Sequence, residues 1–215
     1  LQTKHWHDLG ENWLITKQYF KPYPVCRWAQ APIAAVLDLK QTYDFSSTDV
    51  ASVHITSFYE AVRLGQKKVT NTEEAQYSTS FPCAIALVHG DILPEHIADD
   101  ALKDPEIQRL SSVLTISEDD HANLVFPGSR LARADITLKN GQVLSSTWFE
   151  PKWDASGPPT NKELTKKFRD YAIPVLGKTR TKEIYEAVFN LDKSDTQQLF
   201  RLISSPVQKP VANVS

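Results

Sequence analysis

The chain has 215 residues, 41% of them apolar and 23% charged, with a net charge of −2. That length supports one sizeable core, or a compact domain with an appendage, and the near balance of charge offers no electrostatic pull on nucleic acid or an anionic membrane. No apolar run reaches the roughly 20 residues that span a bilayer, and the stretch from Leu1 to His7 lacks the pattern of a secretory signal.

The sequence holds no Met, so a chain that begins at Leu1 is expected to be part of a longer polypeptide. In chain order, Trp13, Ile15, Tyr19 and Phe20 among polar residues predict a strand over 12–20. Pro22 and Pro24 then impose an extended path, because proline disfavours helix in the residue before it. Ile33, Ala34, Val36 and Leu37 recur at helical spacing and predict a helix over 28–39, with Pro32 tolerated in its first turn. After the polar turn Ser46–Asp49, alternation predicts a strand over 50–58 leading into a short helix at 59–64, then a loop at 65–68. A helix is expected from Glu73 to His89, stopped by Gly90.

Two short helices follow at 94–102 and 105–110, each with proline in its first turn, and then a β-like run over 112–117. The clearest signal is a hairpin: Ala132, Ala134, Ile136 and Leu138 alternate with polar residues, Asn140-Gly141 turns, and Val143 to Phe149 returns. A Pro- and Gly-containing break at 151–159 precedes Thr160-Asn161-Lys162-Glu163, which fits a capping box for a helix carrying Leu164, Phe168 and Tyr171. Further helices are expected at 181–190 and 194–203. The fold class is therefore α+β: a small sheet packed with helices over 1–150, and a helical extension with a tail over 151–215.

Cys26 and Cys83 have no ligand spacing to His or to each other, so neither a zinc site nor a disulfide framework is indicated and a reducing compartment is the default. A cytoplasmic location is expected, with the mitochondrion as the alternative. Asn213-Val214-Ser215 fits a glycosylation sequon but occupies the last residues. Nucleotide, serine-hydrolase and zinc-protease motifs are absent. Asp119-Asp120-His121 reads as a solvated acidic loop, since metal sites need further ligands at set spacing. His5 and His7 read as surface residues, and His54, His89 and His96 as hydrogen-bonded structural histidines. Neither a metal nor a cofactor is expected.

The most distinctive string is Lys21-Pro22-Tyr23-Pro24-Val25-Cys26-Arg27-Trp28. Its prolines fix the backbone ahead of a helix N-terminus, a location that favours anions. Lys21 and Arg27 add charge suited to carboxylates. The residues alone leave open a plainer reading, a proline-shaped turn with two surface cations.

Three strings resemble segments of the MmgE/PrpD family. KPYPVCRWAQAPIAAVLDL at 21–39 is similar to its K-x-[FY]-P-x-[CH] core running into an Ala-rich helix. AQYSTSFPCAIALVHGDI at 75–92 is similar to its A-[QR]-[FYH]-S-x-x-[FY] helix. FPGSRLARADITLKNGQVLSSTWFEPKWDASGPPTNKELTKKF at 126–168 resembles its hairpin, proline break and capped helix. The order is that of the family, and the resemblance covers about residues 12–203.

The resemblance implies a lid domain and returning C-terminal helices, with most of a large N-terminal helical domain missing or supplied by a second chain. It implies an oligomer or heteromer, no cofactor, and a lyase or isomerase that abstracts a proton beside a carboxylate of a small polycarboxylate such as 2-methylcitrate or cis-aconitate. Lys21 falls on the lid lysine, a partner for a substrate carboxylate, with Arg27 adjacent to the motif. Cys26 falls where many members have Cys and decarboxylases tend to have His. Ser78 and Phe81 fall on the Ser and aromatic positions that line the family's pocket; where Phe81 replaces Tyr, Tyr77 is the candidate to supply the missing hydroxyl. The base is expected on the helical domain. The alternative is a non-catalytic binding or assembly module built on the same fold.

Overall fold

The computed structural model describes residues 7–65 and 69–207. His5, the segment 66–68 of the expected loop and the sequon lie outside the described residues. The chain divides into two compact units, the first ending at Pro159 and the second starting at Thr160.

The first unit is built on a four-stranded mixed sheet of order β2-β1-β3-β4. Its strands are β1 (Val50–Ser57), β2 (Leu114–Glu118), β3 (Ala132–Leu138) and β4 (Val143–Ser145). β1 is parallel to β2 and antiparallel to β3, which is antiparallel to β4. The register places Leu114, Val53, Ile136 and Leu144 in one row across the sheet, and Ile116, Ile55 and Ala134 in the next. These side chains are buried against helices α1 (Gln30–Thr42), α4 (Ser80–His89) and α5 (Pro105–Ser112) in one core. The small residues Ala132 and Ala134 on β3 leave room for α1 to pack closely. A smaller cluster joins Phe58, Ala61 and Ala122 to Trp28, Phe126 and Leu131, with Phe58 and Phe126 stacked at 4.6 Å.

Several expected elements change on folding. The segment 12–20 is not a strand. It forms a 3-10 turn at Leu14–Lys17, because both the amide and the hydroxyl of Thr16 donate to the Trp13 carbonyl and close the chain on itself. The predicted helix 73–89 is two helices, α3 (Thr72–Tyr77) and α4. Ser78 is extended between them and its hydroxyl accepts the Phe81 amide, which starts α4 afresh. The run 94–102 is two 3-10 turns, Pro94–Ile97 and Ala101–Lys103. The acidic loop at 119–121 begins a helix over Asp120–Val125 that sequence spacing did not reveal, capped by Asp119 accepting from the Ala122 amide at 3.1 Å.

The hairpin forms as expected around Gly141, whose φ of 90° suits glycine. β4 is shorter than the predicted 143–149 because Ser146 Oγ, not a main-chain carbonyl, accepts the Ala134 amide at 2.9 Å. Pairing resumes once, between Ala132 and Phe149.

The second unit opens with the expected capping box: Thr160 Oγ1 accepts the Glu163 amide and Glu163 accepts the Thr160 amide. The helix over Asn161–Phe189 bends at Gly177 (φ 77°, ψ 162°), three residues after Pro174. Tyr185 stacks on Phe168 across the bend and meets the tilted ring of Phe189 on its own side of it. A last helix spans Thr196–Ser204, and Arg180 donates to the Leu202, Ser205 and Pro206 carbonyls at its end. Among the described residues, no helix is long and apolar enough to cross a membrane.

Candidate functional site

The loop before α1 takes its shape from Gln30, a polar residue buried to 1% exposure in the helix's first turn. Its Oε1 accepts the Tyr23 amide at 3.2 Å, while Nε2 donates to the carbonyls of Tyr23 (3.1 Å), Val25 (3.2 Å) and Cys26 (3.4 Å). One side chain thus satisfies main-chain groups that prolines and loop geometry leave without helical or sheet partners. Nothing in the 21–28 string pointed to it; the sequence signal was a lone amide among Ala, Trp and Pro in an apolar helix start.

On this loop Lys21 is exposed, and its ammonium donates to the Val25 carbonyl at 3.3 Å. Cys26 is half-buried with a free thiol. Its amide donates to the Gln76 carbonyl at 2.8 Å, which ties the loop to the end of α3. The next residue, Tyr77, is 59% exposed. The loop that carries Lys21 and Cys26 is thus tied by a main-chain bond to the end of α3, where Tyr77 follows Gln76.

Arg27, Ser78 and Phe81 sit differently. Arg27 is buried, and the two terminal nitrogens of its guanidinium are engaged inside the protein, while its Nε has no hydrogen-bond partner. Nη2 pairs with Asp154 at 2.6 Å, Nη1 donates to the carbonyls of Lys152 (2.9 Å) and Phe20 (3.3 Å), and the group lies over the Tyr19 ring. The expected substrate cation is a bracket between the segment before the loop and the segment after the hairpin, reinforced by the Phe20 amide on the Trp153 carbonyl. Ser78 is buried and serves α4 through the Phe81 amide, with its hydroxyl 3.2 Å from that of Ser80. Phe81 has no exposed surface and fills the core, so it has no face to offer a ligand.

Charge reinforces this picture. Burial, with the nearby Asp91 carboxylate, pushes the Tyr23 hydroxyl up to about 12, so it stays a protonated donor near neutrality. Burial likewise pushes the Cys83 thiol far up, which marks it as an inert core residue. His54 is held between the hydroxyls of Thr115 and Ser117, each at 2.9 Å. His96 accepts the Leu93 amide through Nδ1 at 3.2 Å and stacks on His89 at 4.0 Å. Among the described residues, no three His, Cys, Asp or Glu side chains are grouped to hold a metal.

All three sequence strings thus meet around residues 19–28: the second through Gln76 and the third through Lys152–Asp154. A family model described as the MmgE/PrpD C-terminal domain matches residues 23–193. The chain belongs to the MmgE/PrpD family. Two curated relatives, cis-aconitate decarboxylases of Aspergillus terreus and of its strain NIH 2624 / FGSC A1156, are each 24% identical over 94% of this chain. The chain spans 44% of the length of those relatives. The α+β architecture agrees with the fold expected of an MmgE/PrpD C-terminal domain, and membership supports a lyase-type domain.

Proposed function

We propose that this chain is the lid-like portion of a cofactor-independent lyase or isomerase acting on a small di- or tricarboxylic acid of the cis-aconitate or 2-methylcitrate kind. The observation that supports the reading is the bond from the Cys26 amide to the Gln76 carbonyl, which joins the loop with exposed Lys21 and half-buried Cys26 to the helix end at exposed Tyr77. In such a reaction a proton or carbon dioxide leaves a carbon beside a carboxylate. The electron pair left behind spreads onto that carboxylate, and a cation placed there lowers the barrier. Lys21 is that cation. Tyr77 is the candidate proton donor, and Cys26 occupies the position where decarboxylases of the family tend to have His.

The base comes from the rest of the protein or from a second chain, since His54 is engaged by two hydroxyls and His89 and His96 by each other. A helical domain of the kind the family resemblance implies, or a second chain, would cover the apolar side chains that the second unit exposes, among them Phe189, Phe200 and Ile203. The test is to incubate the protein in its natural length with cis-aconitate and with 2-methylcitrate and follow both by proton NMR. Consumption of one, with loss of carbon dioxide or water, is expected. If both substrates and their isomers stay unchanged while still binding, the domain is a binding or assembly module instead.

A further inference from the structure

A cavity of about 340 Å3 opens in the first unit between the residues before β3 and the segment after the hairpin. Lys17, Ser129, Arg130, Glu150, Asp154 and Ser156 line it. Its size is at the lower end for pockets that hold small molecules. We propose that it binds a compact anion, through a carboxylate or phosphate group held by Arg130.

The decisive feature is the state of Arg130. Its Nε is buried without a hydrogen-bond partner, and no ion pair of its guanidinium is found among the described residues. A buried donor on a permanently charged group is unfavourable unless something accepts from it. The forked geometry of guanidinium matches the paired oxygens of carboxylate or phosphate. Lys17 adds a second positive charge on the cavity wall. The acid Asp154 is already neutralised by Arg27 at 2.6 Å, which leaves Glu150 as the opposing charge.

The walls are also held in place. Ser57 Oγ donates to the Leu131 carbonyl at 2.8 Å, and Ala132 pairs with Phe149, so Arg130 and Glu150 leave the sheet from one anchored rung. Arg27 grips Lys152 and Asp154 on either side of Trp153, whose φ of 69° is one that bulky residues rarely adopt. Strain of that kind persists only where surrounding contacts enforce it. The Phe20–Trp153 bond carries the segment containing Lys17 to the same place.

This site does not depend on the reaction proposed above. The test is a titration of the full 215-residue chain, labelled with 15N, with inorganic phosphate and separately with citrate. A saturable shift of the amides of Gly128, Ser129 and Ser156 is expected with at least one probe. Phosphate alone points to a phosphorylated ligand and citrate alone to a carboxylate; both outcomes support an anion site. Arg130→Gln should weaken binding at least about 10-fold and Lys17→Gln about 3-fold, whereas Lys21→Ala should leave it unchanged. Lys17 is exposed, so its variant keeps the test open should Arg130→Gln fail to fold. No saturable shift with either probe, or equal binding in Lys17→Gln and Arg130→Gln as in the parent chain, would overturn the proposal.

Discussion

Truncating Gln30 to Ala removes the partner of four main-chain groups between Tyr23 and Cys26. Because those groups are wholly or partly buried, Gln30→Ala is expected to cost about 2 kcal/mol of folding stability. Chemical denaturation measures this, and a loss below about 0.5 kcal/mol would mean that the loop holds its own shape. The loop's neighbour Arg27 was expected to face substrate and instead faces Asp154 and two carbonyls. Its charge type was legible; its partners Lys152 and Asp154, more than a hundred residues away, were not, because nothing local in the string encodes them. His89 supplies a residue-level pH prediction. Burial, then the neighbouring His96, lower its pKa from 6.5, and Asp104 opposes them. The unfolded chain therefore binds more protons between the depressed value and 6.5, so this contribution is intact above 6.5 and lost as pH falls through the depressed value. His89 is mostly exposed, so the slope is shallow. Thermal melts between pH 5 and 8 should show Tm falling toward acid, and His89→Gln should reduce that fall; an unchanged profile would remove His89 from the account.

At the scale of elements, patterning served well where one period dominated. The alternation of Ala132, Ala134, Ile136 and Leu138, with Asn140-Gly141 after it, gave the hairpin because a half-buried antiparallel strand imposes a period of two. The helix 28–39 and the capping box at Thr160 were legible for similar local reasons. Failures came where side chains capture the backbone. Thr16 turns a strand-like run, Ser78 divides a helix, Ser146 ends β4 early and Asp119 begins an unexpected helix. The long helix of the second unit bends at Gly177, whose φ of 77° and ψ of 162° lie in a region reserved almost wholly for glycine. Gly177→Ala is expected to cost about 1–3 kcal/mol. A thermal melt checks this, and an unchanged or higher Tm would show that the bend can straighten without loss.

For the whole molecule, the second unit leaves Val175, Phe189, Phe200 and Ile203 open to solvent, and the first leaves Trp13, Leu14 and Ile15 open. Scattered apolar residues are ordinary on a surface, but runs of large side chains along short segments favour burial against another surface. The chain is expected to associate with itself or with a helical partner, and light scattering that shows a monomer at micromolar concentration would contradict this. The central claim is that Lys21, on a loop shaped by Gln30, stabilises charge that develops on a carboxylate substrate. The direct test is turnover by the natural-length protein carrying Lys21→Ala, with circular dichroism to confirm the fold. The account predicts a fall of about 100- to 1000-fold in kcat, the scale for losing one stabilising contact to developing negative charge. Turnover within about threefold of the parent enzyme, in a variant that folds normally, would contradict it.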